Sequence, residues 1–564
     1  MNALILMIIG LAAMFTGYRF YSLYIAKHIL KLSDDFKTPA HEYQDGVDYV
    51  PTNKYVLWGH HFTSVAGAAP IVGPAIAVIW GWLPAFIWVV LGTVFLAGVH
   101  DMAAIWASVR NRGQSMGAVA GAVVGKRAKS VLMIVVFLLL MMVNTAFGVV
   151  IANLMISNPT AVVPVWGALV VAAVIGQCIY RYKMSLVWVS IVGVVALYSL
   201  IYIGTLTPIV IPDGAFFGLP AKTTWILILY VYAFIASMLP VWVLLQPRDY
   251  INGLQLFIGL AILYVSVLLL QPTMVAPMMN EDVPADTPSI IPLLFVTIAC
   301  GAISGFHGLV SSGTTSKQID KEKDVRFVGY LGALGEGMLA LATIIAVCAG
   351  FSSLDAWKEI YQSYGQGGAG AFVTGGATIL NLGVGISPVI SQTTLAVMVA
   401  LFAGTTMDTG VRLLRYIFQE WGEMYNIEPL KKGFLATTFA VAACLLLTFG
   451  QGSDGSGGLL IWPLFGTTNQ LMAGLTLLII SVMLLKKGRA VRYTLIPMVF
   501  LLSMTLIALL VNLKAFYLKG DYLLLGLDVV ILIATILVCL ECFKALKDNW
   551  GTQVDKDKAV KEES

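Results

Sequence analysis

Residues 59–74 read Gly-His-His-Phe-Thr-Ser-Val-Ala-Gly-Ala-Ala-Pro-Ile-Val-Gly-Pro. The stretch opens an apolar run that continues to Trp82. It nevertheless holds two adjacent histidines, two hydroxyls, three glycines and two prolines where a plain membrane helix would hold Leu and Val. In lipid every backbone polar group has to be satisfied within the protein, so broken backbone at membrane depth occurs only where protein or a water-filled cavity satisfies it. The stretch reads as the wall of a polar site. Residues 305–316, Gly-Phe-His-Gly-Leu-Val-Ser-Ser-Gly-Thr-Thr-Ser, echo it. Laid without gaps on residues 59–70, they put Gly305 on Gly59, His307 on His61 and Gly313 on Gly67. Paired Gly-interrupted hydrophobic segments in two halves of a chain point to a transporter binding site. The match is short, and chance is the competing account.

The composition sets the class. Of 564 residues, 59% are hydrophobic and 11% charged. A soluble chain cannot hide that much apolar surface, so this is a polytopic membrane protein. The net charge of +4 is set by loops and a tail and does not suggest nucleic acid. The six cysteines lie in or beside apolar runs and form no extracellular disulfide framework. Cys539 and Cys542 make a lone pair at metal-type spacing without a second pair, and read as small membrane residues. The N-terminal run has no basic leader and no clear cleavage site, so it reads as a retained helix.

Runs long enough to span lie at roughly 3–27, 56–80, 83–109, 130–155, 161–180, 184–206, 224–246, 252–272, 290–314, 326–350, 386–410, 433–450, 457–484, 491–511 and 521–547. That makes about fifteen crossings of about 20 residues or more. Residues 370–385 are short and Gly-rich, as in a re-entrant segment. Residues 1–547 form one transmembrane domain, and the charged tail 548–564 is expected to be disordered. Basic residues recur at every second crossing: Arg110 to Lys129, Arg181 with Lys183, Arg248, Lys317 to Arg326, Arg412 to Lys432, and Lys486 to Arg492. The loop 273–289 carries Glu281, Asp282 and Asp286 instead. The positive-inside rule makes the basic set and the C-terminus cytoplasmic. His61 then lies on the second crossing and His307 on the ninth. That odd shift makes the second copy inverted in the membrane. A competing overlay of Trp242 on Trp462 gives an even shift, which contradicts inversion.

Ionisable residues inside membrane helices usually face the bundle interior or a cavity. His100 and Asp101 are adjacent, so on a helix they point about 100° apart and need not touch; a structural pair at a helix end is the plainer account. Glu336 stands between glycines mid-span, where a carboxyl exchanges a proton away from bulk water; a hydrogen bond across a helix interface is the alternative. Asp408 and Arg412 are four apart, within ion-pair reach on one helix face. Arg248 and Asp249 read as anchors of a tight cytoplasmic loop. Asn469 and Gln470 put two amides in an apolar run, as in a gate or a helix contact.

His60, His61, His100 and His307 are four of the six histidines. Adjacent histidines diverge on a helix, and no Cys or carboxylate completes a metal set at ligand spacing. Imidazoles in a water-filled site fit proton coupling better. The hydroxyls of Thr63, Ser64, Ser311, Ser312, Thr314 and Thr315 can hydrogen-bond a small polar substrate, or simply pack helices as small residues do. Broken helices also aim free N–H groups at an anion. No nucleotide-binding or catalytic motif occurs in a fitting context, so coupling is expected from an ion gradient.

With these stretches in hand, the chain resembles the carbon starvation protein A family. The resemblance rests on Trp58 to Pro74, Val99-His-Asp-Met, Gln246-Pro-Arg-Asp-Tyr, Ser304 to Gln318, Thr406-Met-Asp-Thr-Gly-Val-Arg and Trp462-Pro-Leu-Phe-Gly-Thr-Thr-Asn-Gln-Leu. These motifs run in family order and cover nearly the whole membrane part. The chain is shorter than the longest members, so their extra regions are not carried over. The resemblance implies a secondary transporter of the bacterial inner membrane, for peptides or for pyruvate with a proton. It also implies an amino acid–polyamine–organocation (LeuT-like) core, an inverted five-helix repeat with two broken helices, whereas the crossing count gives a shift of seven.

The combined expectation is an all-α proton–pyruvate symporter without a cofactor, working by alternating access. The substrate site comprises His60, His61, Thr63, Ser64, Gly67, His307, Ser311, Ser312 and Thr314. Proton coupling or gating falls to His100, Asp101, Glu336, Asp408, Arg412, Asn469 and Gln470. A di- or tripeptide importer on the same fold is the rival. A ligand-binding membrane sensor is less favoured, because no sizeable soluble output domain is apparent. The oligomeric state is not legible.

Overall fold

The computed structural model describes the chain except for residues 47, 241, 242, 451, 453, 454, 456, 563 and 564, and the side chains of 180 and 551–562. The overlay of Trp242 on Trp462 therefore lies outside the described residues. The described chain is almost wholly helical, with two isolated β-bridges, Asn2 with Thr273 and Thr52 with Ile319.

The main helices, in order, are α1 (Ala3–Ile29), α2 (Lys54–Ala66), α3 (Ala69–Trp80), α4 (Trp82–Val109), α5 (Lys126–Ser157) and α6 (Pro159–Ile179). Then come α7 (Leu186–Leu206), α8 (Ala221–Met238), α9 (Leu245–Leu270), α10 (Ile290–Thr297), α11 (Gly305–Gly313) and α12 (Arg326–Ala349). Last are α13 (Gly368–Val384), α14 (Pro388–Met424), α15 (Gly433–Phe449), α16 (Trp462–Lys486), α17 (Arg492–Lys519) and α18 (Tyr522–Glu562). Among the described residues twelve helices are long and apolar enough to cross a membrane, and the bent pair α2–α3 makes up to thirteen. This is fewer than the fifteen expected: α10–α11 is interrupted, and α15 is short for a span. The stretch 370–385 lies in α13, a short apolar helix packed on α9, α12 and α14.

The two ends of the bundle differ in charge. Arg110 meets Glu322 at 2.5 Å, Lys323 meets Asp34 at 2.7 Å, and Lys486 donates to the Val123 carbonyl at 2.6 Å. Arg127 reaches Glu541 on α18 at 3.4 Å, which brings the C-terminal helix to the same end. At the other end the Ala3 N–H donates to the Pro272 carbonyl at 2.9 Å, and Lys358 meets Asp282 at 2.8 Å. The Lys358 ammonium holds the Asp282 carboxyl below its ordinary value, through a hydrogen bond and its charge. The basic segments thus share one end, opposite the N-terminus.

Burial follows hydropathy inverted by the solvent. α16 sits wholly in the interior, whereas Val187, Trp188, Val192 and Val195 of α7 point outward. A broad exposed apolar face is untenable in water and suits acyl chains. Inside, α5 and α14 pack along each other through the centre, α2 lies on α9, and α11 lies between α4 and α16.

Candidate functional site

The site is organised by two helix breaks. At the first, Gly67 adopts φ +53° between α2 and α3, which diverge by 46°. Only glycine takes this conformation readily, and a Cβ there would fall 2.6 Å from the Thr406 hydroxyl oxygen. Pro70 then sits in the first turn of α3, where its missing N–H costs no hydrogen bond.

The second break is residues 298–304, between α10 and α11. Gly301 there has φ +92°. Its exposed backbone is satisfied from other helices. Trp88 Nε1 donates to the Ile298 carbonyl at 3.1 Å, and Thr93 Oγ1 to the Gly301 carbonyl at 2.9 Å. Asn469 Oδ1 accepts from the Phe306 N–H at 2.9 Å and from Ser304 Oγ at 3.1 Å. Asn469 Nδ2 donates to Cys300 Sγ at 3.0 Å. Asn469 is thus the clasp of the second break. Residues 305–316 lie after their break, whereas 59–66 lie before theirs. The gapless overlay of the two stretches therefore pairs opposite sides of the breaks.

A first cluster of buried titratable groups forms where α4, α11 and α12 meet. His307 Nδ1 lies 2.8 Å from Asp101 Oδ2, and its Nε2 lies 3.0 Å from Glu336 Oε2. His100 Nδ1 lies 2.8 Å from Asp101 Oδ1, so these neighbours do touch. The 100° separation of their Cβ directions does not limit an imidazole on a flexible χ1. All four residues are at most 1% exposed. A neutral imidazole has one N–H, yet both ring nitrogens of His307 face carboxylates. The Nδ1–Asp101 contact is aligned as a hydrogen bond, whereas the Nε2–Glu336 contact is an ion-pair distance without that alignment. His61 stands apart from this pair, with Nδ1 2.8 Å from Thr315 Oγ1.

The second cluster was not expected from sequence. Arg248 and Asp249 are buried rather than placed in a loop. Arg248 Nη1 donates to Asp408 Oδ2 and to the Tyr232 hydroxyl, and Tyr232 donates to the same carboxylate oxygen at 2.7 Å. Asp249 Oδ2 accepts from Ser64 Oγ at 3.1 Å and lies 3.2 Å from His60 Nδ1. The expected Asp408–Arg412 pair is not formed. Arg412 Nη2 instead donates to the Ala236 and Leu239 carbonyls at 3.0 and 2.8 Å, at the end of α8. Asp408 is instead engaged by Arg248 Nη1 from α9.

The remaining residues divide. Ser311 and Gln470 are fully buried and, among the described residues, their side-chain polar atoms have no hydrogen-bond partner. Thr63, Ser312 and Thr314 donate to carbonyls one turn back on their own helices, at 2.8, 2.7 and 3.0 Å. They behave as packing residues, although Ser312 Oγ also accepts from the Met116 N–H at 3.0 Å. Two clefts lead in from the basic end. One of about 790 Å³, lined by Arg181, Lys183, Gln246 and Tyr250, reaches His60. Another of about 160 Å³, lined by Lys317 and Glu420, reaches Ser312. Among the described residues no group of three or more His, Cys, Asp or Glu is arranged to hold a metal ion.

The sequence matches known proteins along most of its length. A sequence-family model described as carbon starvation protein CstA matches residues 2–360 and 352–508. The peptide transporter CstA of Campylobacter jejuni is 33% identical over 90% of this chain and 79% of its own length. That of Bacillus subtilis is 34% identical over 89% of both. The pyruvate/proton symporter BtsT of Escherichia coli is 32% identical over 90% of this chain and 81% of its own. A solved structure of a mutant of the Eremococcus coleocola manganese transporter aligns over 90% of this chain and 99% of that one. Its TM-score is 0.46 at 14% identity.

Proposed function

The chain belongs to the carbon starvation protein CstA family, and from that premise we propose that it imports a small carboxylate, pyruvate first, together with a proton. That it is a multi-pass membrane transporter rather than an enzyme follows from its relatives and its spans. The observation that carries the coupling is His307 held between Asp101 and Glu336 in a sealed interior. Such a site takes up one proton with a change of net charge from −1 to 0. That neutralises a group which otherwise crosses lipid-lined space at high cost.

The proposed core is an inverted repeat of five helices. The first copy is α2–α3, α4, α5, α8 and α9; the second is α10–α11, α12, α14, α15 and α16. In each copy the broken helix packs on the fifth, and the two third helices, α5 and α14, pack on each other. The hairpin α6–α7 inserted in the first copy turns a five-helix repeat into a shift of seven crossings. With α1, α17 and α18 this makes fifteen crossings, with the basic end and the C-terminus cytoplasmic, in the inner membrane. The substrate lies between the breaks, near His61, Ser311 and Gln470, and the two clefts at the basic end support an inward-facing arrangement.

A peptide is the second reading. It is favoured by the names of several relatives and by the cleft of about 790 Å³, which has room for more than three carbons. Uptake of labelled pyruvate into proteoliposomes under an imposed inward proton gradient tests the proposal. Accumulation abolished by a protonophore is the expected result. Vesicles that concentrate a dipeptide but not pyruvate would move the peptide reading to first place.

A further inference from the structure

Arg248 has more hydrogen-bonding capacity than its neighbours use. It is 2% exposed. Only Nη1 is engaged, by Asp408 and Tyr232. Among the described residues, Nε and Nη2 make no hydrogen bond. The nearest further acceptor, Asp249 Oδ1, stands 3.8 Å from Nη2 and is itself without a hydrogen bond. The Nε–H and one Nη2–H lie along a single edge of a guanidinium, the geometry that grips a carboxylate through two parallel bonds. Leaving such an edge buried and unpaired is expensive, so it marks a place built for an anion.

The charge count sets a condition on that binding. Arg248 carries +1, and Asp249 and Asp408 carry −1 each. A further carboxylate brought to Arg248 adds an anion to a buried site that already has an excess one. The groups facing Asp408 are Tyr232 from α8, Arg248 and Asp249 from α9, and Arg412 one turn along α14 itself. His60 on α2 acts through Asp249. From α5 and α6 the nearby polar side chains are Asn144 and Trp166, which do not titrate. Among these groups, Asp408 is the one whose protonation releases Arg248.

We propose that Arg248 is the anchor for the carboxylate of the substrate, and that substrate and Asp408 compete for it, Asp408 taking a proton as it lets go. The inference rests on the reading that the cargo bears a carboxylate, which pyruvate and a peptide share. The proton moves from solvent to an Asp408 carboxylate oxygen. The Nη1–Asp408 ion pair breaks, and two N–H···O bonds form between Arg248 and the incoming carboxylate. Net charge in this cluster is −1 before and after. The cavity beside Arg248, lined by Trp166, Tyr232, Ala400 and Gly404, measures about 20 Å³, room for roughly one water. A three-carbon acid therefore enters only as the helices lining this cavity part.

The test uses the purified full-length protein, with labelled pyruvate and, in parallel, a labelled dipeptide. In the wild type, linkage requires affinity to fall by about tenfold per pH unit once Asp408 is ionised. Asp408→Asn should flatten that slope to within about twofold. It should keep substrate counterflow and lose accumulation driven by a proton gradient. Arg248→Lys keeps the charge without the fork and should weaken binding by about tenfold or more while keeping the pH slope. Infrared difference spectra of the wild type should gain a protonated-carboxyl band on substrate binding. Absence of that band overturns the proposal whatever the variants do, as does a wild-type pH slope in Asp408→Asn. If the wild type accumulates neither compound, the carboxylate-symport reading fails instead. If it takes only the dipeptide, the same measurements decide the role of Arg248 with that substrate.

Discussion

Asn469→Ala would remove the clasp of the second break, and its cost can be worked from the geometry. The substitution deletes the acceptor of the Phe306 N–H at 2.9 Å and of Ser304 Oγ at 3.1 Å, and the donor to Cys300 Sγ. All of these groups are buried. Ser304 can turn back toward Cys300, 3.3 Å away, but the Phe306 N–H has no substitute among the described residues. An orphaned buried donor costs about 1–3 kcal/mol and each lost hydrogen bond about 1 kcal/mol net. The total is about 2–4 kcal/mol, or roughly 30- to 1,000-fold in the equilibrium between the ordered break and its opened forms. Hydrogen–deuterium exchange reads that equilibrium locally. Peptides covering 298–308 should exchange faster by that factor, while those covering α5 should be unchanged. Cys300→Ser keeps an acceptor for the amide and should stay within about fivefold of the wild type. Wild-type exchange at 298–308 in Asn469→Ala would refute the view that this side chain holds the unwound segment.

Glu336→Gln should abolish uptake driven by a proton gradient while sparing substrate binding, measured by counterflow in the same vesicles; full uptake would remove Glu336 from the mechanism. Arg412→Ala should lower stability by about 2–4 kcal/mol, read as the midpoint of thermal unfolding in detergent, because two carbonyls at the end of α8 lose their donor. Arg412→Lys should recover about half of that, and equal melting of all three proteins would show that those carbonyls find other donors. Asp528 on α18 is fully buried, and among the described residues neither carboxylate oxygen has a partner. Asp528→Leu should therefore raise the unfolding midpoint, by about 1–3 kcal/mol in stability. A lowered midpoint would mean that the carboxyl makes an interaction the folded core depends on.

The first break was legible because its causes are local. Gly67, Pro70 and the hydroxyls between His61 and Gly67 disfavour a continuous apolar helix whatever surrounds them. The second break was misplaced because its causes are remote. Residues 298–304 read Ile-Ala-Cys-Gly-Ala-Ile-Ser, an ordinary apolar stretch. What unwinds them is the trio Trp88, Thr93 and Asn469, reached from two other helices. Arg248 shows the same limit. A basic residue beside a helix end is assigned to a loop by the positive-inside rule, and nothing local reveals that Asp408, 160 residues away, is waiting for it. The only local hint is Pro247 in the first turn, which marks residues 248 and 249 as already inside α9. The i,i+4 spacing of Asp408 and Arg412 gave opportunity without accounting for a competitor. Burial, in contrast, follows the local sequence for two acids: Asp101 and Glu336, set among apolar neighbours, are both at most 1% exposed.

His60 and His61 link the two clusters mechanically. Adjacent residues on a helix diverge by about 100°, which argues against a shared metal and here gives each imidazole a different partner. His60, with Ser64 one turn on, addresses Asp249 on α9, whereas His61 addresses Thr315 beyond α11. α2 is therefore held against both copies of the proposed repeat by polar contacts on each side. It is also one arm of the first break, bent against α3 at Gly67. Swinging α2 toward the basic end breaks Ser64–Asp249 and His61–Thr315 together. One of these contacts borders the Arg248 cluster and the other lies on the His307 side. A pivot held by two latches opens only when both are released. On the proposed reading, Ser64→Ala should weaken the Asp249 latch by about 1.5–3 kcal/mol. That would raise exchange in α2 by about 10- to 150-fold and leave α3, on the far side of the break, unchanged. Equal acceleration in α2 and α3 would show that the two halves move as one rod, and the pivot at Gly67 would have to be abandoned.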